Sequence, residues 1–381
     1  MALRGQLAAG RSRSRLQRNE PTTEPANRSE VSMETAGAPI QGRRYRDAMS
    51  ELSRRVDETA ARTGFAGVVR LERAGAVALD GAYGLADRRH DIAMTTDNQL
   101  GMASGSKTFT ALVVLRLVEE GMLTLATTAR QILGADLPLI ADDVTIEHLL
   151  SHRSGIGDYL DEDEVDSEDY VLPVSAHRLV RTEDFLPILD GYPMKFRAGD
   201  RFAYCNGGFV VLALIAERVS GRSYHDLVRE LVCSPAGMAD TEFLRSDALP
   251  GRAALGYLEV EGQWRTNVFN LPVIATGDGG MYTTTADMAR FWTALTSWRI
   301  VRVETLADML RARSEPDPGG SRCYGLGLWL HAGSPQITMS GADAGVSFWS
   351  SHYPERGTTA TVISTTIGGA WPVAEIVDSH A

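Results

Sequence analysis

Lysine is almost missing from this chain. Of its 38 basic residues only Lys107 and Lys195 are lysines, and the other 36 are arginines. Cysteine is scarce too: Cys205, Cys233 and Cys323 are too few, and odd in number, for a disulfide framework, so reduced thiols and a cytoplasmic location are expected. No long apolar run reads as a membrane span, because residues 357–374 are full of Thr and Gly and residues 202–216 are too short. Residues 1–44 are rich in Arg, Ser, Glu and Pro and lack the apolar core of a secretory signal, which predicts a disordered tail. A net charge of −11 and the lack of a basic stripe argue against a nucleic-acid partner. No Gly-x-Ser-x-Gly elbow, Walker loop or Gly-x-Gly-x-x-Gly turn occurs, so the α/β-hydrolase and nucleotide-binding classes lack support and no cofactor is expected.

What remains is an ordinary globular composition, 381 residues with 44% hydrophobic and 23% charged, enough for one large or two modest domains. Met49, Leu52 and Val56 recur at helical spacing over residues 45–63. Strands are predicted over 65–71 and 76–83, turned at Arg73-Ala74-Gly75. Residues 104–121 form a run apolar on nearly every face, a buried helix closed by Gly121. Short helical segments follow (145–151, 182–189, 208–220, 224–232), and strand patterning returns over 324–331, 336–340, 345–352 and 358–365. The pattern predicts an α/β (α+β) fold: an antiparallel sheet flanked by helices, with an inserted all-helical domain. Residues 45–122 and 285–381 would form the sheet domain and 123–284 the insert.

The scarcity of lysine gives Lys107 weight. It stands three residues after Ser104, on the same side of the helix. A serine hydroxyl needs a neighbour to take its proton, which a guanidinium cannot do and a desolvated amine can. Tyr204 and Asn206 sit where a loop enters a helix; both polar groups could face a cleft, or Asn206 could simply cap the helix. Met339-Ser340-Gly341-Ala342 ends a strand with small residues, where a substrate backbone could approach or the chain could merely turn. His148 and His152 are four apart, but with no third ligand evident they read as structural, and no metal site is expected. The acidic run over residues 158–169 reads as a solvated loop or as a screen against anionic substrates. Cys205 has no neighbouring cation in sequence and reads as a small filler.

Ser-x-x-Lys, then Tyr-x-Asn about a hundred residues later, then a small-residue triplet on a late strand, resembles the serine β-lactamases and penicillin-binding proteins. The phrases Leu149-Leu150-Ser151-His152-Arg153-Ser154-Gly155, Ser234-Pro235-Ala236-Gly237-Met238, Gly279-Gly280-Met281-Tyr282 and Tyr324-Gly325-Leu326-Gly327 are similar to the class C branch, which includes esterases and D-aminopeptidases. The resemblance runs over residues 45–366. It implies a β-lactamase/transpeptidase-like fold whose active site lies in the cleft between sheet domain and insert, with Ser104 as the acylated nucleophile, Lys107 as proton acceptor or relay and Tyr204 as partner base. It also implies that Asn206, Met339, Ser340 and Gly341 contact substrate and that the backbone N–H groups of Ser104 and Ala342 form the oxyanion hole. One departure stands out: the family places Lys or His where this chain has Met339.

The resemblance thus implies a serine hydrolase acting on small-molecule esters or amides, with carboxylesterase-type activity first and D-aminopeptidase/amidase or β-lactamase/DD-peptidase activity as alternatives. A catalytically silent penicillin-binding-like protein, or an acyltransferase of secondary metabolism, would share the same cleft. Neither a membrane nor a nucleic acid enters these expectations.

Overall fold

Two hairpin ladders, one from each end of the chain, join into a single sheet. The computed structural model describes residues 38–165, 170–316 and 319–381, with side chains from residue 47 onward. The tail expected over residues 1–44 lies outside the described residues as far as 37, and helix α1 (Ala38–Thr63) begins before the expected start at residue 45. Pro39 does not oppose that earlier start, because the first turn of a helix has no use for its missing N–H. Arg46–Ala381 forms one compact unit, to which the following description applies.

Strands β1 (Gly67–Arg73) and β2 (Ala76–Tyr83) are joined at Ala74 and Gly75, whose φ values of +48° and +77° are those of a tight hairpin turn. At the other end stand β3 (Arg322–Tyr324), β4 (Trp329–His331), β5 (Ser334–Asp343), β6 (Val346–Tyr353) and β7 (Thr358–Ser364). The sheet order is β2-β1-β7-β6-β5-β4-β3, antiparallel throughout. Register between β1 and β7 runs unbroken from Gly67 opposite Ser364 to Arg73 opposite Thr358. The single strand expected over 324–331 is instead a hairpin. Gly325 N–H donates to Leu328 O at 2.9 Å and Gly327 turns at φ +78°, which reverses the chain.

Alternation along the strands sorts side chains onto two faces. Val69, Leu71, Ala360 and Val362 point one way, onto Leu52 and Val56 of α1 and Val373 and Val377 of α5 (Trp371–Asp378). Val68, Ile337, Met339, Phe348 and Ile363 point the other way, into a larger core. That core includes α2 (Lys107–Glu119), α3 (Asn206–Ser220) and α4 (Thr285–Thr296). On this side Trp292 of α4 lies parallel to His352 at 5.4 Å and donates from Nε1 to Ser350 Oγ at 2.8 Å. Helices α4 and α5 were not anticipated, although Thr284 caps α4 by accepting from Asp287 N–H at 3.1 Å. Residues 123–284 are mainly short helices and loops as expected, but they also carry a hairpin, Tyr257–Val260 with Gln263–Thr266. Glu261 and Gly262 turn it with φ of +52° and +74°. Among the described residues no helix is long and apolar enough to cross a membrane.

The sheet and the entry to α2 meet at contact distance. A Cβ on Gly341 of β5 would fall 2.6 Å from both Ser104 N and Met102 O, and one on Gly105 would fall 2.6 Å from the Phe348 ring. Backbone atoms cannot swing aside as a flexible side chain can. Gly341→Ala is therefore expected to cost about 1–3 kcal/mol of stability by overpacking, read as a lower urea midpoint. An unchanged midpoint would contradict this close approach.

Candidate active site

Ser104 is singled out by exposure. From Met102 to Leu115 every residue is buried except Ser104. It lies in a short 3₁₀ turn, Ala103–Ser106, that leads into α2. Ala103, just before it, has φ +42°, a left-handed conformation that costs a residue with a Cβ on the order of 1 kcal/mol or more. Several bonds hold the strained turn: Met102 N–H donates to Met281 O at 2.8 Å, Ser106 Oγ donates to Ala103 O at 2.9 Å, and Met281 N–H donates to Ser106 Oγ at 3.1 Å. The Gly279-Gly280-Met281 phrase thus braces the turn from behind.

Lys107 is 2% exposed, and its Nζ has three polar neighbours: Ser104 Oγ at 2.9 Å, Asn206 Oδ1 at 2.7 Å and the Asp278 carbonyl oxygen at 2.5 Å. Burial lowers its pKa, opposed by the charges of Asp278, Glu162, Asp158 and Asp343. Two of the three neighbours can only accept. A neutral amine has two N–H groups for those two, which leaves its lone pair toward the Ser104 hydroxyl.

Tyr204 completes the group. Its ring centroid lies 5.0 Å from Lys107 Nζ, and its hydroxyl hydrogen-bonds the Ser104 side chain. Burial and then the Glu162 carboxylate push the phenol pKa well up, so at neutral pH it carries its proton; the Ser104 bond opposes that rise. Asn206 does not cap α3, one of the two readings its sequence position left open. Cys205 is the cap, its Sγ accepting from Gly208 N–H at 3.3 Å. The buried carboxylate of Asp158 supplies a second cap across the loop, accepting from Asn206 N–H at 2.6 Å and Gly207 N–H at 2.8 Å. The Asn206 side chain is thereby free to bind Lys107 through Oδ1, while Nδ2 donates to Leu160 O at 2.8 Å and Glu162 Oε1 at 3.1 Å.

Cavities flank Ser104. The more open one, about 470 Å³, is lined by Tyr204, Glu162, Arg322, Trp329, Trp371 and the Ser340–Ala342 edge of β5. A narrower one of about 60 Å³ lies toward Tyr159, Asp278, Asp343 and Gly279. Larger hollows of about 930 and 780 Å³ do not include Ser104. Strand β4 pairs with β5 only as far as Thr338, so beyond that point the outer edge of β5 has no strand partner among the described residues. Ser340, Ala342 and the backbone of Gly341 line this opening, whereas Met339 is 1% exposed and packs in the core on the opposite face from Ser340, lining neither cavity. Its direction follows from alternation along the strand.

Several site residues carried no clear sequence signal. Asp278 precedes the Gly279-Gly280 phrase and contributes only its backbone carbonyl to Lys107; its carboxylate accepts from the Tyr159 hydroxyl. The acidic run is not one solvated loop: Asp158 is buried, Asp161 pairs with Lys195, and Glu162 lines both cavities. Residues 166–169 of that run lie outside the described residues. His148 completes a capping box, its Nδ1 accepting from Thr145 N–H at 3.3 Å.

The β-lactamase family model matches residues 52–376 of this chain. The chain belongs to the β-lactamase family. Among its relatives, Esterase EstB of Burkholderia gladioli is 30% identical over 282 residues, covering 64% of this chain and 69% of that protein. A D-aminopeptidase of Brucella anthropi is 29% identical over 292 residues, covering 72% of this chain and 51% of that protein. The crystal structure of a penicillin-binding protein from Bacillus halodurans superposes with a TM-score of 0.81 at 33% identity, covering 86% of this chain and all of that one. The chain spans about half the length of some curated relatives, the D-aminopeptidase included. The fold is that of the β-lactamases and transpeptidases, as the motif order implied.

Burial raises the Asp158 carboxyl from 3.8 to about 6, against the pull of its three backbone N–H donors, Gly207, Asn206 and Leu160. An unfolded chain ionises this group first, so between those values the folded state holds more protons and stability falls as pH rises. The full effect is about 3 kcal/mol. Wild type is expected to lose more unfolding free energy than Asp158→Asn between pH 4 and 6.5, as read by urea titration at each pH. Parallel pH dependences would refute the assignment.

Proposed function

We propose that the protein is a serine hydrolase that cleaves small-molecule esters or amides through a covalent acyl-enzyme, with carboxylesterase-type cleavage as its main activity. The observation that carries this reading is the amine of Lys107, held by two acceptor-only groups with its third direction toward Ser104 Oγ. In the first half-reaction Ser104 Oγ bonds to the substrate carbonyl carbon as its proton passes to Lys107 Nζ. The carbonyl electron pair moves onto oxygen, which the N–H groups of Ser104 and Ala342 receive. As the tetrahedral species collapses, the bond to the leaving group breaks and the Tyr204 hydroxyl gives that group a proton. Lys107 then reprotonates Tyr204. Water repeats the sequence, releasing the acid and restoring Ser104.

Ester cleavage ranks first because of charge. The third-motif position holds no cation, since Met339 lies in the core; Glu162 lines both cavities beside Ser104, Asp278 and Asp343 line the narrower one, and Arg322 lines the more open one. A carboxylate-bearing β-lactam or peptide C-terminus finds no partner at the third-motif position and meets the Glu162 side chain, whereas a neutral ester needs no such partner. The same carboxylates would suit an ammonium on the acyl group, which makes a D-amino-acid amidase the second reading.

A panel of p-nitrophenyl ester, D-amino-acid amide and cephalosporin tests this. Wild type should turn over the ester fastest, and Ser104→Ala should abolish that turnover together with fluorophosphonate labelling. Faster cephalosporin hydrolysis would overturn the ester assignment, and equal labelling of Ser104→Ala would overturn the hydrolase reading. Lys107→Arg should lower kcat by roughly 10³-fold or more, because a guanidinium cannot take the proton. Since the working amine is neutral and its pKa is lowered, kcat should rise with pH to a plateau, with a midpoint below the ordinary lysine value of 10.5.

A further inference from the structure

His152 has no part in the chemistry above, yet its setting is one that a hydrocarbon would fill at lower cost. It is 1% exposed, its backbone sits at φ +55°, and its Nε2 has no hydrogen-bond partner among the described residues. An orphaned buried N–H and a left-handed backbone each disfavour folding by about 1 kcal/mol or more. Aromatic rings enclose the imidazole: Phe209 at 5.0 Å, Tyr324 at 4.7 Å, Phe202 at 5.7 Å and Tyr204 at 4.3 Å.

What this residue gains is a grip on both sides of Tyr204. Ala203 N–H donates to the His152 carbonyl oxygen at 2.9 Å, and Cys205 N–H donates to His152 Nδ1 at 3.1 Å. These are the residues before and after Tyr204. Between the two bonds the imidazole lies against the Tyr204 ring with 31° between planes. Because Nδ1 accepts, the ring proton is on Nε2, and the side chain is neutral with a fixed tautomer. A leucine could fill the volume but could not accept from Cys205 N–H.

We propose that His152 is a positioning residue for Tyr204, fixing the phenol beside Ser104 and Lys107 by bracketing its backbone and stacking on its ring. This rests on Tyr204 transferring protons in the reaction. Misplacing a reacting group by about 1 Å can cost roughly 100-fold in rate.

A mutant cycle on ester hydrolysis tests it, with thermal unfolding confirming that each variant is folded. His152→Leu should lower kcat by roughly 10- to 100-fold with KM little changed. His152→Asn, whose amide oxygen takes the place of Nδ1 and which tolerates positive φ, should recover to within about 3-fold of wild type. His152→Gln carries its acceptor one bond too far and should not recover, which keeps the comparison available if the leucine variant does not fold. Combined with Tyr204→Phe, His152→Leu should add no further loss, since both act at one point. Wild-type kcat in His152→Leu, equal rates for the Asn and Gln variants, or losses that multiply in the double variant would each overturn the positioning role. Wild-type kcat in Tyr204→Phe would overturn the underlying reading of Tyr204 instead.

Discussion

The arrangement at Ser104 depends on the cost of burying an amine. In water Lys107 would keep its proton; enclosed by α2, α3 and the loop at Asp278, it loses the hydration that favours its charged form. The fold then withholds full compensation. Two of its contacts are neutral oxygens, of Asn206 and the Asp278 backbone, and among the described residues no carboxylate oxygen touches Nζ directly. Had Asp278 presented its carboxylate, the pair would have locked as ions. Instead that carboxylate accepts from Tyr159, and Asp158 is spent on the start of α3. Acidic groups are close enough to moderate the amine without capturing it.

Each supporting element can be traced to that constraint. The buried face of α2 removes water from Lys107, and the strained turn at Ala103 lifts Ser104 alone out of the core. Gly341 lets β5 come within contact of the same turn, so the sheet and the helix start form one wall. Helix α3 begins at Asn206 because capping is delegated to Cys205 and Asp158, which frees the Asn206 amide for the site.

Much of this was legible in the sequence where one residue type has one use. Scarce lysine and the three-residue step from Ser104 pointed to the central pair, which became specific only with the order of the later motifs, and period-two patterning located β1, β2, β5, β6 and β7. Legibility ended where partners are distant in sequence. Asp158 looks like any residue of an acidic run, and its role appears only when Asn206 and Gly207 arrive 48 and 49 residues later. Met339 was expected at the substrate because its motif position is; strand alternation turned it inward. His152 read as structural, and that reading missed its contact with Tyr204, since no local pattern encodes which ring it will meet. The hairpin β3-β4 was taken for one strand because Gly325 and Gly327 interrupt it too briefly to break the hydrophobic pattern.

Where β4 leaves β5 after Thr338, the sheet has an open edge among the described residues. An unpaired stretch of strand is a template on which other chains can grow, and natural sheets usually blunt or cover such edges. Here the cover is the wall of the reaction cavity itself, with Trp329, Trp371 and Glu162 standing around Ser340–Ala342. The recess beside Ser104 also screens this edge against association with another sheet, so widening it would trade away resistance to aggregation.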